Sequence, residues 1–146
     1  MASNFLNITN APLGLRNNNP GNIRPIGKTS LWLGQIGKRG GFAMFKDVSY
    51  GIRAMAKNAM TQINKYGKNT VKKYITAYAP PAENDTAKYI NEVAKALNIK
   101  PNDPIPLNYE TIKKLIRIQM QTEIGKSHLL ITDDDINRGL IRLNEK

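Results

Sequence analysis

Leu15–Arg24 reads LRNNNPGNIR, three consecutive asparagines, a Pro-Gly pair and a fourth asparagine, with an arginine near each end. Pro20 has no N–H to give, Gly21 permits positive φ, and asparagine amides compete for backbone hydrogen bonds. The run therefore cannot continue a helix or a central strand, and it predicts a structured loop. So many side-chain amides do one of two jobs. They tie down the loop's own backbone, as Asx turns do, or they present donors and acceptors to a polar ligand.

Upstream of the loop, residues 1–13 lack periodicity and read as an N-terminal arm. Downstream, Ser30–Gly41 (SLWLGQIGKRGG) is glycine-punctuated and carries the only tryptophan, and Phe42–Phe45 follows, which together predict two short strands or an irregular hairpin. The period changes at Ser49. Ile52, Met55, Ala56, Ala59, Met60, Ile63 and Tyr66 recur at helical spacing up to a stop at Gly67. A second helix is signalled by Thr70 as N-cap, with Val71, Tyr74, Ile75 and Tyr78 on one face, and it ends before Pro80-Pro81. A third begins near Asn84–Thr86 and buries Ile90, Val93, Ala94 and Leu97. A fourth, capped by Asn108, carries Ile112, Leu115, Ile116 and Met120 toward Gly125, and a short fifth starts at Thr132–Asp135 and includes Ile136, Leu140 and Ile141. The expected fold is mainly α, of the α+β kind, with a small irregular or β lobe near the front.

A chain of 146 residues is long enough for one domain with a real core, so residues 1–146 are expected to form a single domain. The chain has no cysteine and one histidine, His128. That excludes a disulfide frame, a thiolate zinc site and a histidine-rich metal site, and no metal or cofactor is expected. The N-terminus has no basic region followed by an apolar run of signal-peptide length, and no stretch approaches the roughly 20 apolar residues of a membrane span. Twenty-two Lys+Arg against eleven Asp+Glu give a net charge of +11, which points to a polyanion as partner: nucleic acid, an anionic lipid surface or a bacterial wall.

With no cysteine and a single histidine, nucleophilic triads and metal hydrolysis lose support, and carboxylates remain as the acid–base groups. Asp133, Asp134 and Asp135 stand at a helix start, where capping accounts for at least one of them. Glu83, Glu92, Glu110 and Glu145 read as solvated. Glu123 differs, because it ends an apolar helix just before Ile124-Gly125, where a negative charge opposes the helix dipole. A carboxylate there contributes little to the helix, and a partly buried one suits a general acid.

Several of these stretches resemble known proteins. Gly14–Phe45, with LRNNNPGNIR, Trp32-Leu33-Gly34 and Phe42–Phe45, resembles small phage-encoded proteins of virions or lysis. It is also similar to the part of flagellar and autolysin-type glucosaminidases where paired asparagines precede a W-x-G. Asp85-Thr86-Ala87-Lys88-Tyr89 is similar to the E-T-x-x-Y-V signature of lytic transglycosylases, with Asp85 in place of the glutamate. Ile116–Gly125, IRIQMQTEIG, is similar to the lysozyme-superfamily helix that ends in the catalytic glutamate, with Ile124 in place of the usual serine. In that superfamily the glutamate helix precedes the other two segments, whereas here it follows them. The resemblance thus implies a circularly permuted lysozyme-like domain, which is admissible because domain termini usually lie at the surface and often close together.

What the resemblance implies for function is cleavage of the glycan strand of peptidoglycan, as a muramidase, a lytic transglycosylase or a glucosaminidase. Glu123 would be the general acid, with Asp134 or a neighbour as second carboxylate. Asn17, Asn18, Asn19 and Asn22 would line or brace the cleft, Trp32 and Tyr50 would stack on sugars, and Tyr89 would sit near the glutamate. The implied partners are peptidoglycan and virion or lysis-system proteins, with the place of action a phage particle or the host cytoplasm before delivery to the wall. A competing expectation is a non-catalytic virion or nucleic-acid-binding protein on the same frame. The permuted arrangement further requires Leu15–Arg24 and Glu123 to meet in space.

Overall fold

The computed structural model describes residues 1–145. It is mainly α-helical with one two-stranded antiparallel sheet, and its chain divides into two compact units. The first comprises Met1–Lys57 and the chain from Met120 onward, and the second is Asn58–Gln119.

In the first unit, a one-turn helix α1 (Leu13–Arg16) leads into the asparagine loop. A hairpin follows, β1 (Gln35–Arg39) against β2 (Phe42–Phe45), with Arg39 opposite Phe42 and a bulge between Gln35 and Gly37. Gly40 and Gly41 turn the hairpin at φ of +66° and +85°, the positive values that a two-residue turn demands of both central residues. The strands are short, and the loop supplies what they lack. The Phe45 N–H donates to the Asn17 carbonyl, and the Ala43 N–H donates to the Ile23 carbonyl.

Helix α2 (Val48–Met60) starts in this unit and lies against the loop so closely that a Cβ on Gly51 would collide with the Asn18 carbonyl. The C-terminal segment holds α6 (Asp133–Ile141), whose Gly139 admits Ile52 of α2; a Cβ there would stand 2.6 Å from Ile52 Cβ. Arg53 donates to the carbonyls of Arg142 and Glu145, each at 3.0 Å, which satisfies carbonyls beyond the end of α6. Leu15, Phe45, Val48, Ile52, Met55, Met120, Ile131 and Ile136 are fully buried.

The N-terminal residues are tied to the same unit. The Phe5 N–H donates to Asn18 Oδ1, and the Ser3 N–H and hydroxyl donate to the two Asp135 oxygens, all at 2.7–2.8 Å. Asp135 also closes a capping box with Thr132, so the carboxylate at the start of α6 anchors both the helix and the chain's first residues.

The second unit is a helical cluster. Helix α3 (Val71–Tyr78) is capped by Thr70, and α4 (Thr86–Leu97) by Asp85, which accepts from the Lys88 N–H. Asn98 ends α4 in the left-handed region at φ +56°. The long α5 (Tyr109–Ile124) begins here, with the Asn108 side chain accepting from the Thr111 N–H. Ala59, Ile63, Val71, Tyr74, Ile75, Tyr89, Val93, Ile105 and Leu115 form the core. The helix expected over Ser49–Gly67 starts at Val48 and widens into a π turn over Thr61–Lys65 before Gly67, whose φ is +68°.

Candidate active site

Glu123 stands on the last turn of α5, where carbonyls run out of N–H partners and a carboxylate gains nothing from the helix dipole. It is half-buried, beside the fully packed Ile124. The amide of Asn22 donates to it, Nδ2 to Oε1 at 3.0 Å, across 101 positions of sequence. The asparagine loop and the glutamate helix therefore meet. The meeting depends on local backbone choices at both ends. Asn22 adopts φ +51°, which asparagine tolerates better than other side-chain-bearing residues. Gly14 supplies the close approach, since a Cβ there would lie 2.7 Å from both Asn22 Oδ1 and Ile124 Cγ2.

The other asparagines behave differently. Asn17, Asn18 and Asn19 have no exposed surface, and their amides are engaged by the protein itself. Asn17 donates to the Arg39 carbonyl and accepts from Arg39 Nε. Asn18 donates to the Phe45 carbonyl and to Asn4 Oδ1 while accepting from the Phe5 N–H. Asn19 donates to the carbonyls of Ile23 and Ala43 and accepts from the Ile23 N–H. Of the two uses expected, lining or bracing, these three enclosed side chains brace, and Asn22 of the four donates to the glutamate.

Trp32 is half-buried, its indole N–H fixed to the Arg24 carbonyl at 2.8 Å. Arg24, two residues beyond Asn22, extends its guanidinium over the Phe42 ring, 5.1 Å from the centroid. Glu123, Asn22, Arg24, Trp32 and Phe42 all belong to the first unit. Tyr50 does not offer the open face expected of a sugar platform. Its ring carries the Arg142 guanidinium at 4.0 Å and the Lys46 ammonium at 5.1 Å, and Gly34 packs directly on it. Tyr89 belongs to the second unit, where it is buried in the core with its ring edge-on to Tyr78. Asp134 is exposed and paired with Arg138 one turn along α6, at 2.6 Å. Its neighbour Asp135 is the buried carboxylate: burial pushes its pKa up, but hydrogen bonds from Ser3 and Thr132 outweigh that and hold it below the ordinary aspartate value.

Nothing in the sequence marks Gly14 as a glycine of close approach. Arg24 stands out there as a basic residue that, with Arg16 and the surplus lysines, would favour an anionic wall, and its place over Phe42 two residues from Asn22 is what the structure adds. Among the described residues no group of three or more His, Cys, Asp or Glu side chains is placed to hold a metal ion, and no helix is long and apolar enough to cross a membrane.

No protein-family model matches the chain. A curated relative does: Protein P5 of Pseudoalteromonas phage PM2 is 37% identical over 135 residues, covering 90% of this chain and 82% of the relative. The chain belongs to the Protein P5 family. Membership ties it to a phage protein, and the aligned 135 residues are too many to leave out either of the two units.

Proposed function

We propose that this member of the Protein P5 family cleaves the glycan strand of peptidoglycan, with Glu123 as general acid, on a circularly permuted lysozyme-like frame. The observation that carries the reading is the 3.0 Å bond from Asn22 Nδ2 to Glu123 Oε1. A helix-terminal carboxylate that gains nothing from its own helix is here gripped and oriented by the one asparagine of the loop that is not consumed in bracing. Trp32, pinned by its indole N–H beside Arg24, is the aromatic face nearest in the chain to that pair and is assigned to a bound sugar.

The route favoured is the one that needs a single carboxylate, because Asp134 is engaged at the surface by Arg138. Glu123 gives its proton to the glycosidic oxygen as the C1–O bond breaks. The C6 hydroxyl of the same sugar then attacks C1, closing a 1,6-anhydro ring, and its proton returns to Glu123. No water is consumed. The phage relative supports a phage setting, and in this reading the protein reaches the wall in a virion or through a lysis system, with proteins of either as partners.

Incubating the protein with purified sacculi and analysing the released fragments tests the reading. Anhydro-muramyl ends are expected. Reducing muramic acid or reducing glucosamine would assign a muramidase or a glucosaminidase instead. Glu123→Gln keeps the shape and removes the acid, so cleavage should fall at least about a thousandfold, at the upper part of what a positioned general acid contributes together with the charge change. Unchanged cleavage by that variant would eliminate Glu123. No release by the wild-type protein, together with affinity for nucleic acid that falls steeply with salt, would support the binding protein of the competing reading.

A further inference from the structure

We infer that Arg24 is a specificity residue that selects glycans bearing carboxylates, through a charge-assisted fork bond to a carboxylate of the bound strand. The inference rests on the reading of Asn22 and Glu123 as the heart of a glycan cleft, and adds the class of substrate that the cleft prefers. Three observations place this arginine apart from the other basic residues. First, it lies two residues beyond Asn22, and two residues span at most about 7 Å of chain. Second, its backbone is fixed: the Arg24 carbonyl accepts the Trp32 indole N–H at 2.8 Å, and the preceding Ile23 carbonyl accepts the Ala43 N–H from β2 at 3.1 Å. Third, the guanidinium is exposed and held over the Phe42 ring at 5.1 Å, and among the described residues no carboxylate pairs with it.

Four other arginines are spent on the protein itself. Arg39 and Arg53 spend their guanidinium N–H groups on backbone carbonyls, and Arg138 and Arg142 pair with Asp134 and Glu145. In Arg24 the guanidinium rests over an aromatic ring, and no carboxylate of the described residues takes up its fork of N–H donors. A planar guanidinium in a fixed place matches a carboxylate in two parallel hydrogen bonds, which a lysine cannot do. Peptidoglycan carries carboxylates on its peptide stems, whereas a plain N-acetylglucosamine polymer carries none.

The test uses the full-length protein in the Glu123→Gln background, so that binding is read without cleavage, against native sacculi and sacculi whose carboxyl groups have been amidated. Arg24→Gln should weaken binding to native sacculi about tenfold, the loss typical of one hydrogen-bonded charge contact, and leave binding to amidated sacculi unchanged. Arg24→Lys should recover part of the loss. Lys38→Gln, an equal charge change on the exposed side of the same hairpin, should alter binding less than twofold. Binding to native sacculi that survives Arg24→Gln, or a loss of equal size on amidated sacculi or with Lys38→Gln, overturns the inference. So does a parent protein that binds neither material. A wild-type protein that shows the Arg24-dependent preference but releases no fragments would overturn the cleavage reading and leave the carboxylate selection standing.

Discussion

The asparagines on the two sides of Pro20-Gly21 are the same residue in the same loop, put to opposite uses. Before the pair, Asn17–Asn19 are sealed from solvent and spend their amides on the backbone of β1, β2, Ile23 and the N-terminal residues. After it, Asn22 keeps partial exposure and gives its amide to a carboxylate 101 positions away. A short hairpin has few cross-strand bonds of its own, and the buried asparagines act as extra strand-like partners that make it rigid. A buried polar group with every valence filled specifies a structure, whereas one that reaches a half-buried carboxylate sets where that carboxylate stands. The difference teaches that composition alone cannot assign a polar loop, because the partner of each amide decides its role.

The largest effect that would break this contrast falls on the bracing side. Asn19→Leu is close in size but leaves the Ile23 N–H and the Ala43 carbonyl without the bonds Asn19 gives them. At about 1–3 kcal/mol for each buried group so stranded, the loss should be roughly 3–5 kcal/mol, a large part of the 5–15 kcal/mol that holds a domain together. Thermal unfolding followed by circular dichroism should shift down by about 10 °C or more. A shift under about 3 °C would mean that the loop is not the scaffold of the hairpin.

The same contrast recurs between neighbouring carboxylates, and there it can be sharpened by pH. Asp134 is exposed in a surface pair with Arg138, whereas Asp135 is 1% exposed and bonded by Ser3 and Thr132. Because the folded pKa of Asp135 lies below its unfolded value, its contribution is fully present above about pH 4 and is lost as pH falls through the folded value. Asp135→Asn should cost about 2 kcal/mol at pH 7 through the weakened bonds to the arm and the capping box. The gap in urea midpoint between variant and wild type should narrow toward pH 3. A gap that is independent of pH would show that the charge of Asp135 does not matter to these contacts. Asp134→Asn should stay within about 0.5 kcal/mol at either pH, as exposed pairs do.

How much of this was legible in the sequence follows from range. Helices α3 to α6 were readable because their signals are local: Thr70, Asn108 and Thr132 cap the helices they precede, and the apolar spacing shows the buried face. Asp85 stands where a related motif has glutamate, and its observed work is the N-cap of α4. The hairpin was readable from its glycines. The division of labour among the asparagines was not, since Asn17, Asn18 and Asn19 take partners up to 27 positions away and Asn22 takes one 101 away. Gly14 was invisible for the same reason: its missing side chain matters only once Asn22 and Ile124 are brought beside it. Glu123 could be singled out because its misfit was local, a negative charge at the wrong end of a helix.

Within the loop, the substitution with the smaller effect on stability sharpens the comparison most. Asn22→Gly removes the amide that reaches Glu123 and keeps a residue suited to the φ of +51° observed there, so the backbone need not rearrange. Stability should change by about 1 kcal/mol or less, mostly through the greater freedom of glycine in the unfolded chain. If Asn22 orients the acid, the rate of sacculus cleavage should still fall about tenfold to a hundredfold, the equivalent of one hydrogen bond to a charged group. The loss should appear in kcat more than in KM, because orienting an acid matters when the proton moves rather than when the strand binds. An Asn19 variant compared after correction for the unfolded fraction should show no such kinetic loss. A cleavage rate untouched by Asn22→Gly would make Asn22 a fourth brace, and the contrast within LRNNNPGNIR would reduce to one of depth.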